Sequence, residues 1–204
     1  RTPSAVIRTR QTADARKGVY SQMNLPNKLT LLRVVLALVF MAFMMVNAAW
    51  AKWVGLLVFA GASLTDMLDG KIARSRNMIT TFGKFADPLA DKMLTTAAFI
   101  IFTYKQIIGP WPLFIILIRE FAVSGIRLVA AANGDVIAAS FWGKFKTVTQ
   151  MIAILAGILI MCLPHAFGSA GNIITAILVW ISVLFTIISG IEYIVNNRKL
   201  LKFK

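Results

Sequence analysis

The acidic residues of this sequence are few, and half of them fall in one short segment. The chain of 204 residues holds eight Asp and Glu residues, four of them between Asp66 and Asp91. Asp66 and Asp69 are three residues apart, so on a helix they share a face. Asp87 and Asp91 are four residues apart and share a face in the same way. Two neighbouring helices of this kind could together form an oxygen-rich site.

Four carboxylates at close range repel one another and therefore require a cation. A single carboxylate at the centre of a bilayer already costs about 2.5–3.5 kcal/mol on insertion scales. Oxygen ligands without a nearby His or Cys favour a hard ion, first Mg²⁺, with Mn²⁺ or Ca²⁺ as further candidates. The alternative is a solvated loop whose acids pair with the basic residues around them, namely Lys71, Arg74, Lys84 and Lys92.

The composition of the chain indicates a membrane protein. Hydrophobic residues make up 58% of the sequence, which is well above the usual share of a soluble domain. Little soluble chain remains to carry a nucleic-acid-binding face, so the net charge of +14 is better explained by basic flanks beside a membrane. We therefore expect membrane lipids, and no nucleic acid, as partners. The single cysteine, Cys162, excludes an internal disulfide and a multi-cysteine metal site.

Six apolar runs predict an all-α integral membrane protein, a bundle of six transmembrane helices. Residues 1–22 are polar and basic, and we expect a disordered extension, native or introduced by cloning. A single membrane domain is expected over residues 23–204. The runs cover approximately residues 29–46, 54–72, 86–102, 113–132, 148–163 and 173–195.

The loops between these runs predict the orientation of the bundle. Basic residues gather before the first run, between the second and third, before the fifth, and after the sixth. Because cytoplasmic loops carry an excess of Lys and Arg, both termini are predicted to be cytoplasmic. The protein is then a multi-pass protein of the inner, cytoplasmic membrane. Its aspartates lie at the cytoplasmic side of the second and third helices.

The spacing around the aspartates is that of a known signature. The segment reads Asp66-x-x-Asp69-Gly70-x-x-Ala73-Arg74, then eight residues, then Gly83-x-x-x-Asp87-x-x-x-Asp91. It resembles the signature of the CDP-alcohol phosphotransferase family at all eight specified positions across 26 residues. The expected number of spans agrees with that family over residues 23–204.

This resemblance implies a transferase of phospholipid biosynthesis that joins a CDP-activated lipid to an alcohol. An alcohol oxygen would attack the β-phosphorus of CDP-diacylglycerol, and CMP would leave. Asp66 and Asp87 would bridge two divalent cations, with Asp69 and Asp91 each completing one. Asp91 would also take the alcohol proton as general base. The resemblance further implies a homodimer and assigns contacts with the CDP portion to Gly70, Ala73, Arg74 and, more weakly, Thr80.

A polar face also opens the first predicted helix. Asn27, Thr30 and Arg33 follow one another at intervals of three residues and so share one side of a helix. The segment is similar to the N-terminal stretch of the same family, which implies that these residues line the nucleotide-diphosphate side of the site. The alternative is a helix cap and an anchor at the membrane interface.

The fourth run carries charges that suggest the acceptor alcohol. Arg119 and Arg127 are eight residues apart, so they lie about 80° apart on one side of a helix. With Lys144 they could form a pocket for a second phosphate beside the metal site. The alternatives are a salt bridge between Arg119 and Glu120, and an ordinary interface-anchoring loop around Lys144.

The pattern Arg-Glu-Phe-x-x-Ser-Gly-x-Arg, followed by Gly-Lys-x-Lys-Thr, resembles the branch of the family that uses sn-glycerol 3-phosphate. It implies phosphatidylglycerophosphate and CMP as products. Another CDP-diacylglycerol phosphatidyltransferase, with inositol phosphate or serine as acceptor, stays an alternative. A divalent-cation carrier is the alternative from a different class, because carriers also use intramembrane aspartates. Carriers favour broken helices near the membrane midplane in repeated halves, whereas these acids gather toward one face.

Overall fold

The computed structural model describes residues 25–76, 81–132, 137 and 140–198, and within them the side chains of 31–65, 92–131, 137 and 140–198. Every regular element in these ranges is an α-helix. The proposed extension over residues 1–22 lies outside the described residues. In chain order the helices are α1 (Leu25–Met45), α2 (Ala49–Arg76), α3 (Thr81–Tyr104), α4 (Pro110–Ala132), α5 (Phe141–Cys162), α6 (Pro164–Phe167) and α7 (Ala170–Asn196).

Each of the six predicted runs is a helix, but several helices extend beyond their apolar run. Helix α5 begins at Phe141, before the apolar run at residue 148, because the hydroxyl of Ser140 caps it by accepting from the Gly143 amide at 3.1 Å. Helix α4 begins at Pro110, where the fixed φ of proline suits a first helical position. Sequence reasoning did not predict α6, a single turn that starts at Pro164, one residue after the end of α5.

The helices pack as two groups joined along their sides. Helix α1 packs against α2 and α3, and α5 packs most extensively against α7. Contacts of α4 with α7 and α3, and of α2 and α3 with α5, join the groups. One apolar core includes buried residues of both groups. Within the first group the rings of Phe40 and Phe59 lie 5.4 Å apart, and both side chains are fully buried.

Short connections make successive helices run in opposite directions. Residues 46–48 join α1 to α2, residues 77–80 join α2 to α3, and residues 105–109 join α3 to α4. A hydrogen bond of 2.8 Å from Lys105 Nζ to Asn47 Oδ1 ties the first and third of these connections together. The bundle therefore has two ends. At one end α1, α3 and α5 begin and α2, α4 and α7 end, and we call it the charged end. We call the opposite end the far end.

Two of the described helices, α5 and α7, are long and apolar enough to cross a membrane by length and composition. Shorter apolar stretches are found in the first three helices, over Leu31–Met45, Ala49–Thr65 and Lys92–Tyr104. Large apolar side chains are also exposed along the helices, including Leu57, Trp180 and Ile191. An exposed apolar surface of this extent is typical of a protein that is surrounded by lipid.

Candidate functional site at the charged end

The predicted site residues are distant in sequence, but the fold places the helix segments that carry them at the charged end. Helix α2 carries the first two aspartates in its second half, and α3 carries the other two in its first half. Asn27, Thr30 and Arg33 lie in the first turns of α1, which begins at this end. Arg119 lies near the middle of α4 and Arg127 in its second half, and Lys144 lies in the first turn of α5.

The side chains of the four aspartates lie outside the described part, as do those of Asn27, Thr30, Gly70, Ala73 and Arg74. Thr80 lies outside the described residues altogether. Among the side chains that are described, no group of three or more His, Cys, Asp or Glu could hold a metal. The chemistry of the donor set still fits a hard divalent ion, since α2 carries two carboxylates in its second half and α3 carries two in its first half.

Arg119 reaches from α4 to α7. Its Nη2 donates to the Ser189 hydroxyl at 2.5 Å, and only 13% of its side chain is exposed. Two glycines leave room for this side chain: a Cβ at Gly190 would lie 3.1 Å from Arg119 Cγ, and one at Gly143 would lie 3.7 Å from Nη2. The Nε atom of Arg119 is buried and has no hydrogen-bond partner among the described residues. One donor of a charged group is thus left for another partner.

Arg127 contacts the same helix one turn further along. Its Nε donates to the Tyr193 hydroxyl at 3.3 Å, and its guanidinium lies over the Tyr193 ring at 5.7 Å from the centroid. Ser189 and Tyr193 are four residues apart on α7, so they share a face. The structure therefore brings both arginines onto one face of α7. Arg127 is exposed to solvent, whereas Arg119 is only partly exposed.

Glu120 is the acidic partner within this group. Its Oε1 binds Lys146 of α5, and its Oε2 lies 3.2 Å from Lys92 Nζ of α3. The salt bridge to Arg119 that sequence analysis offered as an alternative is present but longer, at 3.6 Å from Nη1 to Oε1. Glu120 and Lys146 are both buried, so this pairing lies inside the bundle.

Two lysines of the Gly-Lys-x-Lys-Thr segment have different surroundings. Lys144 is exposed, whereas Lys146 is 5% exposed and bound to Glu120. They are two residues apart, so they point about 200° apart around the helix. Sequence reasoning chose Lys144 for the pocket and did not assign Lys146 to it, because the facing direction of α5 cannot be read from an interfacial basic segment.

Sequence reasoning also missed the polar residues of α7. This helix is the most apolar of the described helices, yet its buried face includes hydroxyl groups at intervals of three, four or seven residues. That spacing was a usable signal, since a polar stripe in an apolar helix faces protein rather than lipid. The buried hydroxyl residues are Thr175, Ser182, Thr186, Ser189 and Tyr193.

The described part of the charged end is rich in positive charge. Arg119, Arg127, Lys92 and Lys146 meet here, and Glu120 is the acid bound to this group. An excess of cations in a partly buried region favours an anionic ligand, and a guanidinium matches the geometry of a phosphate. Helix segments bearing four aspartates lie at the same end, so the arrangement suits a phosphate-containing substrate and a metal-assisted reaction.

Comparison with known proteins agrees with a phosphate-containing substrate. The family model described as CDP-alcohol phosphatidyltransferase matches residues 23–188. A protein of Bacillus subtilis named CDP-diacylglycerol–glycerol-3-phosphate 3-phosphatidyltransferase is 42% identical over 191 residues, covering 88% of this chain and 97% of its own. Proteins of the same name from Rickettsia typhi and Cereibacter sphaeroides are 39% and 36% identical. They match 83% and 72% of this chain, and 94% and 68% of their own.

Proposed function

The chain belongs to the CDP-alcohol phosphatidyltransferase family, and we propose that it transfers a phosphatidyl group from CDP-diacylglycerol to sn-glycerol 3-phosphate. The products are phosphatidylglycerophosphate and CMP, so the protein is an enzyme of phospholipid biosynthesis. The observation that carries the choice of acceptor is the pair of arginines, Arg119 and Arg127, directed onto one face of α7 at the charged end. The curated relatives with this activity in their names support the same choice.

The proposed enzyme uses two divalent cations, first Mg²⁺, with Mn²⁺ as an alternative. Asp66 and Asp87 would hold both ions, with Asp69 on one and Asp91 on the other, as the family resemblance implies. When bound, the pair would neutralise charge that develops on the attacking and leaving oxygens. The support for this proposal is the donor set itself, four carboxylates on helix ends that a four-residue connection joins.

The side chains of this protein have distinct tasks in the proposed reaction. Asp91 takes the proton from the acceptor hydroxyl, whose oxygen attacks the β-phosphorus of CDP-diacylglycerol. The bond from that phosphorus to the CMP oxygen breaks, and CMP leaves. Arg119, Arg127 and Lys144 bind the phosphate of the acceptor. Contacts with CDP-diacylglycerol are assigned to Asn27, Thr30, Arg33, Gly70, Ala73, Arg74 and Thr80.

The proposed site lies at the cytoplasmic face of the cell membrane. In this arrangement α1–α5 and α7 are the six transmembrane helices, both termini are cytoplasmic, and a homodimer forms as the family resemblance implies. The apolar surface of the helices and the basic residues at the charged end support this orientation.

The orientation can be tested at two exposed residues, His165 on α6 and Asn196 at the end of α7. A cysteine at His165 should react with a membrane-impermeant maleimide outside the cell, and one at Asn196 only after permeabilisation.

The acceptor is tested with purified protein, CDP-diacylglycerol and a panel of alcohols. CMP release is measured with glycerol 3-phosphate, inositol phosphate and serine, each with Mg²⁺ and with excess chelator. We expect the highest kcat/KM for glycerol 3-phosphate and no release in chelator. Faster release with inositol phosphate or serine would refute the acceptor and leave the family intact. Family membership leaves the cation-carrier alternative without support.

A further inference from the structure

The carboxylate of Glu120 joins three helices at the charged end, and the proposed reaction gives it no task. It lies on α4, binds Lys146 of α5, and is 3.2 Å from Lys92 of α3. Only 11% of the Glu120 side chain and 6% of the Lys146 side chain are exposed. Buried charges of this kind are unfavourable unless they are well paired, and buried ion pairs are better attested for fixing a unique arrangement than for adding stability.

The chain neighbours of these residues belong to the proposed site. Lys92 directly follows Asp91 on α3, and Arg119 directly precedes Glu120 on α4. Lys92 Nζ lies within 3.2 Å of both the carboxylate and the carbonyl oxygen of Glu120, and it also donates to the Ser124 hydroxyl. These contacts fix the backbone of α3, one residue from Asp91, against the segment of α4 that carries Arg119.

Glu120 also controls the charge around Arg119. Its Oε1 lies 3.6 Å from Arg119 Nη1, so this one carboxylate is close to three cations. Without it, Arg119, Lys92 and Lys146 would repel one another in a region that excludes most water. The other terminal nitrogen of Arg119 is held by Ser189. The guanidinium is thus oriented from both sides, by Ser189 and by Glu120.

We propose that Glu120 is a positioning residue that sets the separation between the aspartate-bearing start of α3 and the arginine that binds the acceptor phosphate. The inference rests on the proposed function, because it takes Asp91 and Arg119 as the two groups to be held. Glu120 does not touch the substrate in this account. It acts through Lys92 and Lys146 on the helices and through Arg119 on the acceptor.

Isosteric variants test this role. Glu120→Gln keeps the shape of the side chain and removes its charge, and Glu120→Asp keeps the charge on a shorter side chain. Glu192→Gln is the matched control, since Glu192 lies at the same end on α7 and takes part in no ion pair among the described residues. Initial rates are measured while glycerol 3-phosphate and CDP-diacylglycerol are varied separately, and the unfolding temperature of each variant is recorded in detergent.

We expect Glu120→Gln to lower kcat/KM for glycerol 3-phosphate by about 100-fold, the cost of a misplacement of roughly 1 Å. The KM for CDP-diacylglycerol should stay near the wild-type value, Glu120→Asp should restore part of the rate, and Glu192→Gln should behave as wild type. A lower unfolding temperature with unchanged kinetics of the folded fraction would overturn the proposal. So would equal losses in Glu120→Gln and Glu192→Gln.

A double variant keeps the test decisive if Glu120→Gln does not fold. Glu120→Gln with Lys146→Met also removes the buried cation that Glu120 binds, so it should fold better than Glu120→Gln alone and still show the loss in kcat/KM for the acceptor. Wild-type kinetics in the folded double variant would overturn the proposal. Failure of the proposed function looks different, since the wild type would then prefer another alcohol. The Glu120 variants are in that case assayed with that alcohol. We again expect a loss in kcat/KM for the acceptor and little change in the KM for CDP-diacylglycerol.

Discussion

The two ends of the bundle are built from the same helices but with opposite chemistry. At the far end, α3, α5 and α7 meet through Phe102, Gly157 and Thr175, and a Cβ at Gly157 would lie 2.6 Å from Phe102 Cζ. Phe102 is fully buried and stacks edge-on against Phe99. At the charged end α3, α4, α5 and α7 meet instead through Glu120 and Arg119 and their partners.

This difference suggests that the far end governs the stability of the fold and the charged end governs activity. The far end is close-packed around small residues, which is how helices associate in a membrane without help from water. The charged end places a buried carboxylate among several cations, an arrangement that is costly to bury and therefore points to a role in binding or catalysis. Substitutions at the far end should therefore change the free energy of unfolding, and substitutions at the charged end should change turnover.

The largest effect is expected from the aspartates proposed to hold both metal ions. Asp66→Asn or Asp87→Asn removes a shared ligand and leaves too little negative charge for two divalent ions, so turnover should be lost. The variants should keep the helix content and the unfolding temperature of the wild type. CMP release and circular dichroism on the same samples check this. Near-normal rates in both variants would contradict the two-metal proposal.

A smaller loss is expected for Asp91, which the proposal makes both a ligand and the general base. Asp91→Asn should lower kcat by about 10²–10⁴-fold, the range typical of general-base loss. Binding of CDP-diacylglycerol should survive better than catalysis, and equilibrium binding of the labelled lipid measures it. If binding falls in proportion to kcat, Asp91 is a ligand without a role as base.

The arginines of α4 should give a moderate effect that is confined to the acceptor. Charge-assisted hydrogen bonds contribute roughly 1.5–3 kcal/mol each, so Arg119→Ala or Arg127→Ala should cost about tenfold or more in kcat/KM for glycerol 3-phosphate. Replacement by Lys should restore only part of the kcat/KM that the Ala variants lose, because an ammonium lacks the planar fork of a guanidinium. Steady-state kinetics with each substrate varied are the measurement. Equal weakening of both substrates would make these arginines structural.

The smallest effect on turnover is expected at the far end. A Cβ at Gly157 would lie 2.6 Å from Phe102 and 2.7 Å from Thr175, so Gly157→Ala should destabilise the fold by about 1–3 kcal/mol. Gly61→Ala is the matched control, since a Cβ there meets nothing within 4 Å, and it should stabilise by roughly 0.5–1 kcal/mol. Thermal unfolding in detergent measures both. A large loss of kcat in folded Gly157→Ala protein would contradict the claim that the far end governs stability and not turnover.

Sequence reasoning located the helices because apolar runs are a strong signal. The motif singled out the aspartates because its spacing is specific, and their roles stay predictions because their side chains lie outside the described part. Neither predicts which side chains meet between helices. The pairing of Glu120 with Lys146 depends on the rotation of α5, and that of Arg119 with Ser189 depends on the register of α7 against α4. The early start of α5 was missed because it rests on the Ser140 cap, which adds no hydrophobicity.

The most direct test of the proposed reaction follows the acceptor itself into lipid. Purified protein is given CDP-diacylglycerol and radiolabelled glycerol 3-phosphate, and both the label in the organic phase and the CMP released are counted. The account predicts one labelled lipid per CMP with Mg²⁺, and neither product in excess chelator. CMP release without label in lipid would show hydrolysis in place of transfer, and label in lipid in the presence of chelator would contradict the metal-assisted reaction.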